Sequence, residues 1–277
     1  MRRALIVGRV ILLYLIMAVV GITFLFPFLW MVSTSLKVPE QVFAQPPIWI
    51  PNPIDFDNYV EAVTAVPTAR YFVNTLIITI IPMAATVLSS SVVAFAFSRL
   101  DWRGRTVAFG VLLSTMMLPG HVTMIPLFVA FHKLGWVNTF KPLIVPAFFG
   151  SAFYIFLLRQ FFMGIPREMD EAAIMDGANP PVIWWRVIMP LSGPVLAAIS
   201  VFSFIDGWNA FMEPLIYLKS ANKWPLALGL IAFRRIHTTL WEEIMAYSLL
   251  VMAPCLIVFF FSQRYFIQGI TLSGLKG

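Results

Sequence analysis

Residues 165–190 read IPREMDEAAIMDGANPPVIWWRVIMP, a pattern that predicts two short helices around a sharp turn. Pro166 suits a first helical turn, and Glu168, Asp170 and Glu171 put negative charge at the positive end of a helix dipole. Gly177 suits the left-handed position that closes a helix, and Pro180 follows where that helix cannot continue. Asn179 is placed to cap a second helix, starting at Pro180 or Pro181 and ended by Pro190. On the first helix Met169, Ala172, Ala173 and Asp176 recur at helical spacing. A face made largely of alanine lets another backbone come close. Local physics fits a docking element and a plain interfacial hairpin equally well.

Working outward, the segment is polar between two apolar runs, and that contrast holds along the whole chain. The sequence has 277 residues, 60% hydrophobic and 12% charged, with a mean hydropathy of +0.86. Soluble domains carry about 25% charged residues, roughly twice this share. The 26 Phe and 9 Trp also exceed what one soluble core of this size needs. Lipid is the solvent that accommodates such a composition. Six stretches free of Lys and Arg stand out, at about 10–32, 71–97, 106–128, 143–158, 191–215 and 244–261. The expected fold class is therefore an all-α membrane protein with six transmembrane helices. The fourth stretch needs its neighbours on either side, such as Phe161 and Phe162, to reach full length. The first follows Arg2 and Arg3 as a signal peptide would, but it is too long and lacks a small-x-small cleavage site, so it reads as an uncleaved span.

Charge settles further questions. The formal net charge is +6, yet the basic residues sit singly between apolar runs rather than in a patch. That scatter fits the flanks of spans and argues against nucleic acid. A modest majority of the 19 Lys and Arg falls on the side of the N-terminus, most clearly at Arg103 and Arg105, which makes that side cytoplasmic. The only cysteine, Cys255, lies in an apolar run, so no intrachain disulfide framework exists. His121, His132 and His237 share no ligand spacing, and no metal site is expected. The first external loop holds a proline-rich stretch at 46–53. A short helix then carries Phe56, Tyr59, Val60 and Val63 on one face, to lie along the membrane surface or against another span.

The loop carries a resemblance. Glu171-Ala172-Ala173, three residues, Gly177, nine residues, then Val187-Ile188-Met189-Pro190 resembles the EAA loop of binding-protein-dependent ABC importer permeases, E-A-A-x3-G-x9-I-x-L-P. Val187 and Met189 are conservative departures. Gly269-Ile270-Thr271 and Gly274-Leu275-Lys276-Gly277 are similar to the tail of MalG-type carbohydrate permeases, and Trp208-Asn209 is a pair common there. The resemblance implies a type I ABC importer permease fold with cytoplasmic N- and C-termini, multi-pass in a bacterial or archaeal cytoplasmic (inner) membrane. It implies residues 1–70 as a first helix and external loop, 71–265 as the permease core with its loop at 166–190, and 266–277 as a cytoplasmic tail. It further implies that Glu171, Ala172, Ala173, Asp176 and Gly177 couple to an ATPase subunit, with Thr271, Gly274 and Lys276 of the tail reaching the same partner.

The implied function is import of sugars or oligosaccharides, with this chain forming half of the path. The implied partners are a MalF-type second permease subunit, two ATP-binding-cassette subunits and an extracytoplasmic solute-binding protein. ATP and Mg would be bound by those ATPase subunits, and no cofactor is expected here. The sequence agrees on one point, since it contains no G-x-x-x-x-G-K-[ST] phosphate loop. Competing readings are a permease for another polyol, such as a glycerol phosphate, or a membrane enzyme acting on lipid-linked sugars. The first is disfavoured because no Lys or Arg lies mid-span, and the second because it needs a carboxylate pair or metal cluster at the interface, whereas the cytoplasmic acids are already explained by helix capping. An ion channel would need a ring-forming charge pattern.

A substrate path is sought in the fifth span, where charge inside lipid is costly. Ser203, Asp206, Asn209 and Glu213 follow helical spacing and would share one face if the helix runs through. The alternative places Glu213 at the outer interface, with Asp206 bonding only a neighbouring helix. Trp208 falls on the opposite face and reads as packing. Asn74, Thr75 and Thr79 are expected to hydrogen-bond across helices, and Ser89, Ser90 and Ser91 to permit close packing. Pro119-Gly120 beside His121 marks a broken helix.

Overall fold

A computed structural model describes residues 2–233 and 239–274, with side chains over 8–233 and 239–263. Every regular element among them is helical. Helix α1 is Arg2–Thr34, α2 is Asp57–Thr64, and α3 is Thr68–Arg99. Among the described residues, four helices are long and apolar enough to cross a membrane: Gly8–Thr34 of α1, α3, Lys141–Met163 and Trp241–Gln263. Two further candidates are bent pairs. Helices α4, Arg105–Thr115, and α5, Gly120–Lys133, meet at 95°. The fourth span continues into α6, Ala152–Met163, and the loop after it forms α7, Glu168–Met175. The second bent pair is α8, Pro180–Leu191, and α9, Gly193–Trp208, at 82°. Helix α10, Met212–Tyr217, and α11, Trp241–Gly274, complete the order. If each bent pair is one span, the candidates number six.

The bends have local causes. Pro119 is extended at the start of α5, so α4 stops before it and the chain restarts in a new direction, as Pro119-Gly120 foretells. At the second bend Ser192 leaves helical geometry, and Gly193-Pro194 begins α9. The helix after Asn179 ends at Leu191, one residue past Pro190, but it differs from a plain α-helix. A π-turn over Trp184–Ile188 widens the hydrogen bonding, with the Met189 amide donating to the Trp184 carbonyl. That shift accommodates the missing donor of Pro190 inside the helix. The fifth span differs too. A helix continuous over 191–215 is replaced by α9 and α10, because Asn209 leaves the helix and Phe211 starts the next.

Packing forms two compact units, Met1–Thr68 with Gly229–Ala253 and Ala69–Leu228 with Pro254–Gly277. In the first, the buried Asn58 of α2 donates to the Lys37 carbonyl at 2.8 Å and the Ser35 carbonyl at 3.2 Å. The Lys37 ammonium lies 3.9 Å from the centre of the Trp30 ring, and burial lowers its pKa. Phe56 and Val60 remain exposed, whereas Tyr59 of the same face is half-buried and shares a hydrogen bond with Ser35 at 2.8 Å.

The second unit holds a core of Ala94, Phe95 and Phe97 from α3, Tyr154, Ile155, Leu158 and Phe162 from α6, and Ile183, Ile188 and Ile199 from α8 and α9. Small polar residues set the closeness of α3 to the fourth span. Ser89 donates to the Ala147 carbonyl at 3.1 Å, and Ser90 accepts the Ser151 amide at 3.0 Å. Gly150, at φ 80°, leaves the room this needs, since a Cβ there would sit 3.2 Å from the Ser90 hydroxyl. The serines are packing residues, as read from the sequence. Asn74 and Thr75 bind the segment 222–226, which holds only short helical turns, rather than another span. Asn74 donates to the carbonyls of Asn222 and Trp224, and Thr75 accepts the Leu226 amide.

Candidate functional site

Two places bring functional side chains together. One is the loop between α6 and α9. Glu168, Asp170 and Glu171 fill the first turn of α7, and Asp176 caps its end. Gly177, at φ 81°, donates to the Ile174 carbonyl while Ala178 reaches back to Ala173, a paired closure that needs a left-handed residue. Asn179 then accepts the Val182 amide at 3.2 Å and caps α8. The helix, turn and helix are those read from the sequence. The predicted face divides, however. Glu171, Ala172, Asp176 and Gly177 are exposed, whereas Ala173 is half-buried against the core.

The sequence reading missed what fastens this loop. Arg99, the last residue of α3, pairs with Asp170 at 3.0 Å, and the two side chains are 4% and 15% exposed. The same guanidinium donates to the carbonyls of Phe162 and Ile165, at 2.6 and 2.8 Å. Arg159 of α6 answers by donating to the Phe97 carbonyl of α3 at 3.3 Å and lying over the Phe109 ring. Each arginine therefore bonds carbonyls at or just past the C-terminal end of the other's helix, adding to the Ile165 amide that already reaches the Phe162 carbonyl. The signal in sequence was only an arginine ending an apolar run, which also reads as a span flank.

The other place is a cavity of about 320 Å³ bordered by Thr79, Pro82 and Pro142 and by Ser203, Asp206, Gly207 and Glu213. Tyr154 donates to Asp206 at 3.4 Å. Thr79 is buried, yet its hydroxyl bonds nothing among the described residues, so the expected cross-helix bond is not made. It lies against Gly207, where a Cβ would approach its Cα to 3.3 Å. Glu213 also borders a second cavity of about 260 Å³ with His121, Thr123 and Tyr217. Among the described residues, no Lys or Arg borders either. Ser203, Asp206 and Glu213 meet as expected, but Asn209 does not join them. Its side chain turns back to the Ile205 carbonyl and towards the Cys255 sulfur, because the helix ends at Trp208. Trp208 is buried, stacked on Phe204 and edge-on to Phe72, and is a packing residue. No group of three or more His, Cys, Asp or Glu among the described residues could hold a metal ion. Thr271 and Gly274 lie in α11 beyond the described side chains, and Lys276 lies outside the described residues.

Residues 85–272 match the family model described as the binding-protein-dependent transport system inner membrane component. The chain belongs to this family. The permease is a multi-pass membrane protein of transport and not an enzyme. It is 33% identical over 231 residues to the arabinooligosaccharides transport system permease protein AraQ of Halalkalibacterium halodurans, covering 83% of this chain and 82% of that one. It is 31% identical to the trehalose/maltose transport system permease protein MalG of Thermococcus litoralis, covering 96% and 97%. Among solved structures, the permease matches a chain of a bacterial ABC transporter involved in import of the acidic polysaccharide alginate. The TM-score is 0.83 at 26% identity, over 92% of this chain and 95% of that chain.

Proposed function

We propose that this permease is one membrane half of an ATP-driven importer of neutral sugars or oligosaccharides. It crosses the membrane six times with both termini cytoplasmic, counting each bent pair as one span. Residues 1–70 form the entry helix and external loop, 71–265 the core, and 266–277 a cytoplasmic tail. A second, MalF-type permease subunit completes the path, two ATPase subunits bind ATP and Mg, and an extracytoplasmic binding protein delivers the sugar. Relatives named for arabinooligosaccharides and for trehalose and maltose support the substrate class.

The observation that carries the coupling role is the exposed loop helix. On α7, Met169, Ile174 and Met175 are 44%, 58% and 88% exposed, beside Glu171, Ala172 and Gly177. Apolar side chains presented on an eight-residue helix with a fixed closing turn suit insertion into a cleft of a protein partner. Ala173 seats the helix on its own spans. Thr271, Gly274 and Lys276 of the tail are assigned to the same partner on the family resemblance.

Ser203, Asp206 and Glu213 line the sugar path, with Thr79 as an added member and Asn209 removed. Carboxylates and hydroxyls accept hydrogen bonds from sugar hydroxyls, and among the described residues no cation borders either cavity to favour a phosphate or an acidic polysaccharide. The test is co-purification of the ATPase subunits with the wild type and with a Glu171→Lys, Gly177→Pro variant. Loss of the subunits in the variant is expected. Unchanged association together with unchanged uptake would overturn the coupling role.

A further inference from the structure

We propose that Arg99 is the positioning residue through which the motion of α7 enters the membrane, acting through its buried pair with Asp170. The inference rests on the docking role proposed for α7 and concerns the next step, from the loop to the spans. Three segments meet on one guanidinium. Arg99 belongs to α3, its bonds to the Phe162 and Ile165 carbonyls hold the end of α6, and its pair with Asp170 holds the first turn of α7. A helix docked only by apolar packing can slide. One held by a charge-assisted contact that is 4% and 15% exposed moves with its partner or breaks the contact.

The opposite end of α7 has no such tie. Beyond Met175 the chain turns at the exposed Gly177, and a cavity of about 400 Å³ opens between Ala173, Asp176, Gly177, Ala178 and Arg186. Displacement of α7 therefore pivots about Asp170, and α3 and α6 receive it together. The pair also keeps capacity in reserve. The Arg99 Nε and the second Asp170 oxygen are buried with no hydrogen-bond partner among the described residues. A contact with one unused donor and one unused acceptor has room to tighten when the loop is pushed inward, which would supply the second arrangement that transmission requires.

The test uses the complete importer in proteoliposomes and compares wild type with Asp170→Asn and Asp170→Glu. Asparagine keeps the size and removes the charge, whereas glutamate restores the charge. In Asp170→Asn we expect the ATPase subunits to stay bound and hydrolysis to continue, while sugar taken up per ATP falls about tenfold. Asp170→Glu recovers most of it. Uptake per ATP equal to wild type in Asp170→Asn would overturn the proposal. So would loss of uptake and hydrolysis in equal proportion with a lowered unfolding temperature, because that marks a purely structural contact. If the wild type itself binds no ATPase subunit, the docking role fails instead, and the two failures are told apart by that control. Arg99→Lys is the second variant. It keeps the charge but cannot span Asp170 and two carbonyls at once, and the same fall in uptake per ATP is expected.

Discussion

The end of α3 and the passage from α9 into α10 treat charge in opposite ways. At Arg99 every bond is short and the ion pair is sealed from solvent, so the polar groups there serve to join helices. Around Asp206 and Glu213 the carboxylates face open space, Tyr154 reaches one of them only at 3.4 Å, and the Thr79 hydroxyl is left without a partner. The first region has used most of its hydrogen-bonding capacity internally, and the second has kept it free. A transporter needs both. A joint must not let go when pushed, and a path must offer bonds that a passing solute can take and release.

The contrast can be broken most severely at the joint. Arg99→Met strands Asp170 and the Ile165 carbonyl in a nearly dry site, and a loss of about 3–5 kcal/mol is expected, read as a large fall in unfolding temperature of the purified complex. Adding Asp170→Leu should return most of that loss without returning coupled uptake. A smaller effect is expected at the turn. Gly177→Ala forces a side chain into left-handed backbone, costing about 1–2 kcal/mol, and should weaken ATPase binding measured by pull-down. Asn179→Ala removes the cap of α8 and should cost about 1 kcal/mol by the same unfolding assay. At the path the sign reverses. Thr79→Val removes a buried hydroxyl that bonds nothing, so stability should stay level or rise by about 1 kcal/mol while the uptake KM rises. A clear destabilisation there would mean that the hydroxyl is already engaged, and the contrast would fail.

What the sequence made legible follows the same division. The loop was readable because its determinants are local. A glycine at the helix end, an asparagine before two prolines and acids in a first turn each act within a few residues of themselves. Asn209 was misplaced because helical spacing holds only while the helix lasts, and nothing in the spacing reveals that the chain leaves helical geometry after Trp208. Pro190 marks the end of α8 to within one residue, whereas the π-turn before it has no signature in the spacing. Arg99 escaped notice because its partners lie more than sixty residues away, and periodicity carries no information about such pairs.

One feature of α3 reaches further than the joint itself. Near its other end Asn74 grips the carbonyls of Asn222 and Trp224, and Thr75 takes the Leu226 amide. Thr75 and Arg99 stand about 36 Å apart along a helix that rises 1.5 Å per residue. A rod pinned at both tips is a pushrod, and a thrust at one tip must be felt at the other unless the shaft buckles. Pro82 lies between the two pins, and there the shaft would give first.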